Sequence, residues 1–261
     1  MERTYVRSTV ENRLAVVTID NPKVNALNDR VVDELAEVFG ELETLSEIGV
    51  GILTGAGEKA FVAGADIRGF EKFIGNRQAA VDSSRRMQAL FSKIENSRLV
   101  VIAAINGLAL GGGCELAVAC DLRVAGDNVL IGVPEVKLGL IPGAGGTQRL
   151  ARLLGKGRAK YMVLTGEFLN AREAFQWGLV DRVVPAEDVL SEAKRIAARI
   201  LGNAPLAVEA GKRAINRGLE MSLEDGLALE AELEGDLFLT SDLAEGTKAF
   251  LEKRTADFRR K

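Results

Sequence analysis

Short apolar runs that end at turn-forming residues alternate along the chain with longer segments whose apolar residues recur at helical spacing. Arg13 to Asp20 (RLAVVTID) predicts a strand that ends at a turn, and Asn28 is a suitable N-cap for an amphipathic helix that runs to about Leu45. Val50 to Leu53 then predicts a short buried strand. This order is typical of a β-α-β unit.

The middle of the chain continues the alternation of strands and helices. A helix is predicted from about Gln78 to Asn96, a strand from Leu99 to Ile105, and a helix of about two turns after Gly111 to Gly113. Two further short strands are predicted at Leu122 to Val124 and Val129 to Ile131. We therefore expect an α/β fold.

Helices predominate after Thr147. A last strand is expected at Leu179 to Val184, and four more helical segments follow it. The break at Gly202-Asn203-Ala204-Pro205 suggests a boundary between a core domain, residues 1–202, and a helical region, residues 203–261. The helices predicted before the last strand are Gln148 to Leu154, Arg158 to Leu164 and Ala171 to Trp177.

Charge and apolar content narrow the class of protein. The 261 residues carry a formal net charge of −3 and no long block of Lys or Arg, which argues against a nucleic-acid partner. The N-terminal residues lack the apolar segment of a signal peptide, and no window approaches the roughly 18 continuous apolar residues of a membrane span. We expect a soluble cytoplasmic protein without a membrane partner.

The absence of histidine removes a set of mechanisms. Neither a Ser-His-Asp or Cys-His nucleophile nor a His-ligated metal is possible, so we expect no metal. Cys114 and Cys120 match neither a zinc site nor a redox pair, and we interpret them as small buried side chains. Acid-base chemistry would have to use carboxylates, Lys, Tyr or backbone dipoles.

Two glutamates, Glu115 and Glu135, lie in a glycine-rich segment, Ile105 to Arg149, that holds ten of the chain's 28 glycines. Gly111 to Gly113 precede a predicted helix, where free amide N–H groups could hold either a phosphate or the oxygen of a carbonyl that becomes an enolate. Neither a dinucleotide fingerprint nor a P-loop follows the strand, and glycines that merely permit close packing remain an alternative. For Gly143 to Gly146 we favour the packing or turn interpretation.

A pair of carboxylates suits proton transfer when water is largely excluded. One can be held ionised to orient and deprotonate water while the other delivers a proton to carbon. Glu115 would lie in the first turn of the helix that follows the glycines, close to the same amides. A further segment, Lys59 to Arg68, could offer another free amide at Ala65.

Four motifs together resemble the crotonase (enoyl-CoA hydratase/isomerase) superfamily, and they occur in that family's order over nearly the whole chain. They are KAFVAGADIR, NGLALGGGCELAVACDLRVA, GVPEVKLGLIPGAGGTQRL and AFLEKR. The resemblance implies an α/β spiral of ββα units with a C-terminal helical trimerisation region, as a homotrimer or a dimer of trimers.

The resemblance also implies roles for particular residues. Ala65 and Gly112 match the two residues whose backbone N–H groups form the family's oxyanion hole for a thioester carbonyl. Glu115 and Glu135 match the two catalytic glutamates, of which the second protonates the α-carbon and the first helps to activate water. Lys253 matches a lysine that can reach the coenzyme A of a neighbouring subunit. Further candidates for acyl-CoA contacts are Lys23, Val24, Lys59, Ala63, Asp66, Ile67 and Arg68.

Asp66 has a second interpretation that we favour. A third ionised acid in the pocket would oppose enolate formation, so we expect Asp66 to cap or brace its loop.

The reaction expected from the resemblance is reversible syn addition of water to a trans-2-enoyl-CoA, which gives a 3-hydroxyacyl-CoA. Coenzyme A would belong to the substrate, so no separate cofactor is expected. Because the superfamily uses one pocket for several reactions, an isomerase or another acyl-CoA lyase is an alternative, although the glutamate pair favours hydration. An RNA-binding crotonase-like protein is an alternative of another class. Acyl chain length and pathway stay open.

Overall fold

Two sheets organise the chain in the computed structural model, which describes residues 3–261. The larger sheet has six strands, in the spatial order β1 (Val6–Glu11), β2 (Leu14–Ile19), β3 (Val50–Gly55), β5 (Val100–Ile105), β7 (Leu122–Gly126) and β10 (Arg182–Val184). The smaller sheet has four, in the order β4 (Ala60–Ala63), β6 (Leu108–Leu110), β8 (Leu130–Gly132) and β9 (Phe168–Asn170). All neighbours pair in parallel except β1 with β2 and β8 with β9.

Nine α-helices connect and cover these sheets within the described residues. Three short 3-10 helices, Ile67–Phe73, Pro134–Leu138 and Ala186–Asp188, accompany them. The α-helices are α1 (Asp29–Thr44), α2 (Arg77–Glu95), α3 (Gly112–Val118), α4 (Gly146–Thr165), α5 (Ala171–Trp177), α6 (Val189–Leu201), α7 (Pro205–Gly218), α8 (Leu223–Leu237) and α9 (Ser241–Leu251).

Successive strands pass from the larger sheet to the smaller one. The pairs β3 and β4, β5 and β6, and β7 and β8 each contribute one strand to each sheet, and each pair is followed by a helix, α2, α3 and α4 respectively. This repetition is the ββα spiral that the resemblance predicts, and the expected α/β class is confirmed.

The central strands of the larger sheet, β3 and β5, are buried on both faces. Along β5, Val101, Ala103 and Ile105 face the main core, whereas Val100 and Ile102 face a second cluster formed with α6. Side chains that alternate between two apolar environments explain why this strand reads as a continuous apolar run rather than as an alternating one.

Most predicted elements are present with small shifts in their ends. The Asn28 side chain caps α1 as predicted, because its Oδ1 accepts from the Val31 N–H at 2.9 Å. The two helices predicted on either side of Gly155 are present as the two halves of α4, which are separated at Gly155 because its φ of 77° and ψ of 159° are not helical. The last strand is shorter than predicted, since only Arg182–Val184 pairs with β7.

Four strands were not predicted: β1, β4, β6 and β9. Three of them belong to the smaller sheet and have three or four residues, which is too short for a periodic pattern.

The structure contains no helix within residues 3–261 that is both long enough and apolar enough to cross a bilayer.

A buried ion pair joins the C-terminal helices to the larger sheet. Lys212 Nζ on α7 donates to Asp121 Oδ2 at 2.7 Å and to the Leu99 carbonyl at 2.6 Å, and Asp121 Oδ2 also accepts from the Val101 N–H. The Lys212 side chain is only 9% exposed. The boundary near residue 202 stays a prediction, and this pair ties the two predicted parts together.

Replacing Lys212 with Met should lower the free energy of unfolding by about 3 kcal/mol, because it leaves the buried Asp121 carboxylate without its cation. Adding Asp121→Asn should recover part of that loss. Urea denaturation at one fixed protein concentration measures both, with Arg213→Met, an exposed cation on the same helix, as the control. Equal stability of Lys212→Met and the control would contradict this role.

Candidate active site

Three loops of the smaller sheet meet at one edge. Because β4, β6 and β8 are neighbouring parallel strands, the residues that follow them lie side by side at the carboxyl end of the sheet. Ala65 follows β4, Gly111 and Gly112 follow β6, and Glu135 follows β8. Residues from three of the four motifs thus converge.

Glu115 is buried because α3 lies directly against β4. A Cβ placed on Gly113 would lie 1.9 Å from the Val62 carbonyl oxygen, so only glycine permits this approach. Glu115 is in the first turn of α3 and is 3% exposed. Its position in the first turn matches the sequence prediction.

Two backbone amides hold the Glu115 carboxylate. Oε1 accepts from the Ala144 N–H at 2.8 Å and from the Gly146 N–H at 2.7 Å. Gly146 is the first residue of α4, so the partial positive charge of that helix end faces the carboxylate. The arrangement compensates part of the cost of burying an acid.

Burial, and to a smaller extent the nearby charge of Glu135, nevertheless raise the pKa of Glu115 to about 7. The amides of Gly146 and Ala144 and the charge of Arg149 act in the opposite direction. Glu115 is therefore poised to exchange a proton near neutral pH.

Glu135 lies in the 3-10 helix Pro134–Leu138, which follows β8. Its Oε1 points at the glycines, because a Cβ placed on Gly111, whose φ is 53°, would lie 2.8 Å away. Its Oε2 is buried and has no hydrogen-bond partner within residues 3–261. Burial raises the pKa of Glu135, which favours the protonated acid.

The amides of Ala65 and Gly112 lie together. Leu27 and Ala65 form a parallel β-bridge, in which the Leu27 N–H donates to the Gly64 carbonyl and the Asp66 N–H donates to the Leu27 carbonyl. The Ala65 N–H takes no part in this bridge. A Cβ placed on Gly112 would lie 3.7 Å from the Ala65 nitrogen. Gly112 is the first residue of α3, where an amide has no intrahelical acceptor.

Apolar side chains border these amides. The same Cβ on Gly112 would lie 3.3 Å from Leu27 Cδ1 and 3.4 Å from Met87 Cε. Two neighbouring backbone donors beside apolar groups and two acids of raised pKa form a site that can stabilise an oxyanion and move protons.

The other predicted substrate contacts are distributed unevenly. Val24 and Ala63 are adjacent, because the Ala63 N–H donates to the Val24 carbonyl at 3.0 Å. Lys23, Lys59 and Lys253 are exposed, and within residues 3–261 no hydrogen bond or ion pair joins their side chains to the site. Lys253 lies in the turn after α9, so its predicted contact with a neighbouring subunit stays a prediction.

Asp66 braces its loop as predicted. Its side chain accepts from the Arg68 N–H at 3.1 Å and pairs with the Arg68 guanidinium at 2.7 Å, which lowers the pKa of Asp66. Arg68, the cation that we predicted to contact coenzyme A, is thus already paired with Asp66. The neighbouring Ile67 is 58% exposed.

The loop Gly143 to Gly146 has a role that the packing interpretation missed, because it supplies the amides that hold Glu115. The signal was present in the sequence, since two glycines precede a helix there just as they do at Gly111 to Gly113. Arg149, whose guanidinium contacts the Ala144 carbonyl at 3.2 Å, was also missed.

The family is established by a match of residues 9–261 to the family model described as enoyl-CoA hydratase/isomerase. The chain belongs to the enoyl-CoA hydratase/isomerase family. This membership confirms the resemblance inferred from the four motifs.

Similar members of the family cover nearly the full chain. A short-chain-enoyl-CoA hydratase of Clostridium acetobutylicum is 46% identical over 257 residues, 97% of each chain. A crotonyl-CoA hydratase of Syntrophomonas wolfei subsp. wolfei is 46% identical over 251 residues, 95% of each chain. The crystal structure of an enoyl-CoA hydratase from Bacillus anthracis superposes with a TM-score of 0.95 at 37% identity, over 99% of this chain and 100% of that one.

Glu115→Gln should stabilise the protein most at alkaline pH. Because the folded-state pKa of Glu115 is raised from 4.5 to about 7, the cost of ionising it appears as pH rises through that window and is complete above it. The neutral amide escapes this cost while its oxygen can still accept both N–H groups. Its stability advantage over the unmodified protein should grow by about 2 to 3 kcal/mol between about pH 5 and pH 8.

Urea denaturation at the two pH values tests this expectation, with the exposed Glu187→Gln as the control for removing a carboxylate. An advantage that stays constant with pH would show that Glu115 does not bear an ionisation cost.

Proposed function

We propose that this protein catalyses the reversible syn addition of water to trans-2-enoyl-CoA thioesters, with Glu115 and Glu135 as its two acid-base groups. Enoyl-CoA hydration is also the activity named for the two relatives from Clostridium acetobutylicum and Syntrophomonas wolfei. The observation that carries the proposal is that the Glu135 carboxylate lies against Gly111, next to the amides of Gly112 and Ala65. It is also close enough to the buried Glu115 carboxylate for its charge to raise the pKa of Glu115.

The proposed reaction begins with the thioester carbonyl bound by the Ala65 and Gly112 amides. Negative charge develops on this oxygen as water adds to the β-carbon, so donors fixed in advance lower the barrier. The Leu27 and Met87 side chains place apolar surface beside the amides, where the electrostatic interaction is stronger than in water.

Proton transfer divides between the two glutamates. Ionised Glu115, oriented by two amides, accepts a proton from the attacking water while its oxygen bonds to the β-carbon. Glu135, whose pKa is raised by burial, delivers a proton to the α-carbon as the enolate collapses. One water is consumed, and the cycle closes when Glu115 releases its proton and Glu135 takes one up, through solvent.

Hydration accounts for both acids better than isomerisation does. Moving a double bond requires one group that shuttles a proton between carbons, and Glu135 alone would suffice. The Glu115 carboxylate, although held by two amides, would then take no part in the reaction. We therefore rank the isomerase reaction second.

Other residues around the site would contact the acyl chain and the coenzyme A portion of the substrate. We assign the acyl-CoA to the surface formed by Val24, Ala63, Ala65 and Ile67, with Lys23, Lys59, Arg68 and Lys253 as cations for its phosphates. Coenzyme A would be part of the substrate and no further cofactor is invoked. A cytoplasmic location belongs to the same proposal.

Glu115→Gln and Glu135→Gln should each lower the hydration rate by at least about 10²-fold, the scale of positioned acid-base catalysis. The loss of crotonyl-CoA absorbance on hydration measures the rate, and Glu187→Gln is again the matched control. A near-normal rate in either active-site variant would refute the two-glutamate mechanism.

We further propose that the protein assembles as a trimer or a dimer of trimers. The C-terminal helices expose large apolar side chains, including Leu219 at 76%, Leu239 at 88% and Phe250 at 84%. Large apolar side chains exposed in this number are typical of a region that forms an interface between subunits.

Sedimentation equilibrium should give a mass of three or six chains, and Leu239→Glu should shift it toward the monomer because it places charge in the proposed interface. Glu232→Gln on α8 changes an exposed polar residue of the same helical region and serves as the control. A monomeric unmodified protein would contradict the assembly.

A further inference from the structure

We propose that Arg149 is a positioning residue for Glu115, which it serves by fixing the loop that holds the carboxylate and by keeping a positive charge beside it. This inference rests on the proposed hydration. Arg149 lies on α4 and would not touch the substrate.

The Arg149 guanidinium bridges two helices and the loop. Its Nε and Nη2 donate to Glu95 Oε2 at 3.1 and 2.7 Å, and Nη2 also donates to Ser92 Oγ at 3.0 Å. Both acceptors are on α2. Its Nη1 donates to the Ala144 carbonyl at 3.2 Å. The Arg149 side chain is only 12% exposed, so these hydrogen bonds are largely shielded from water.

Both backbone polar groups of Ala144, the carbonyl and the N–H, are hydrogen-bonded. Its carbonyl accepts from Arg149, and its N–H donates to Glu115 Oε1. The guanidinium also packs on the next residue, because a Cβ placed on Gly145 would lie 2.1 Å from Nη1. The two amides that hold Glu115 flank Gly145, so a shift of this loop would move the carboxylate.

Arg149 also contributes to the electrostatics of the carboxylate. The charged groups that influence Glu115 are Glu135, from the 3-10 helix after β8, and Arg149, from α4. Glu135 raises the pKa of Glu115 and Arg149 lowers it, while the adjacent Cys114 thiol stays protonated because burial raises its pKa. Arg149 therefore favours the ionised Glu115 that the proposed mechanism requires.

Arg152 on the same helix offers a matched comparison. It pairs with Glu220 at 2.8 Å on the surface and makes no contact with the loop within the described residues. Arg152→Met removes a cation and an ion pair from α4 but none of the hydrogen bonds that support Glu115. Its only link to that support within residues 3–261 is a charge interaction with Glu95.

The test is the pH dependence of kcat and kcat/KM for crotonyl-CoA hydration in the unmodified protein, Arg149→Met, Arg149→Lys and Arg152→Met. For Arg149→Met we expect kcat to fall about 10-fold or more with little change in KM, because the carboxylate loses its alignment. The acidic limb of kcat/KM should also move to higher pH by about half a unit or more, because the cation that favoured ionised Glu115 is gone.

Arg149→Lys separates the two contributions. Its ammonium keeps the charge but cannot reach Glu95, Ser92 and the Ala144 carbonyl together, so kcat should fall while the acidic limb stays within about 0.3 of a pH unit. Arg152→Met should match the unmodified protein.

Other outcomes would overturn the proposal. An unchanged Arg149→Met, or one that loses rate equally at every pH with its acidic limb unmoved, would leave Arg149 a purely structural residue. Should Arg149→Met not fold, a folded Arg149→Lys with normal kcat would overturn it equally. Absence of hydration by the unmodified protein would instead refute the proposed function, so the two failures are distinguishable.

Discussion

The buried carboxylate of Glu115 is the constraint on which the rest of the site depends. An acid that is 3% exposed can ionise only where fixed donors replace the water it has lost, and the amides of Ala144 and Gly146 are those donors. Two requirements follow for the fold. The helix that carries Glu115 must lie against β4, and the loop before α4 must reach the same place.

The ββα spiral meets both requirements with short connections. Since consecutive strands alternate between sheets, the loops after β4, β6 and β8 gather at one edge, where they bring an amide, two glycines and a second acid together. The helix α4 then directs its N-terminus at Glu115. Thus the same ββα repetition that builds the core also places Ala65, Gly112 and Glu135, one after each of the strands β4, β6 and β8, at this edge.

The sequence predicted much of this arrangement, and its omissions have physical reasons. The long elements were predictable because α1, α2 and β5 carry strong periodic or continuous apolar patterns, and Asn28 marks a helix start. Three short strands of the smaller sheet, β4, β6 and β9, were not, because three or four residues carry little periodicity and their pairing depends on partners distant in sequence.

The site was predictable where the chemistry is local. Glu115 after three glycines, and Ala65 and Glu135 within their motifs, could be identified from the chain. The supporting groups could not, because Arg149 and the Ala144 amide reach Glu115 only across a tertiary contact. Their roles depend on how α2, α3 and α4 pack, which no single segment encodes.

The central claim, that Glu115 is a desolvated acid poised near neutrality, is tested most directly by infrared difference spectroscopy of the carboxyl groups as a function of pH. The account predicts a protonated-carboxyl band that disappears at an apparent pKa of about 7 and is missing in Glu115→Gln. Nearly complete ionisation of every carboxyl group by about pH 6, as solvated side chains would show, would contradict it.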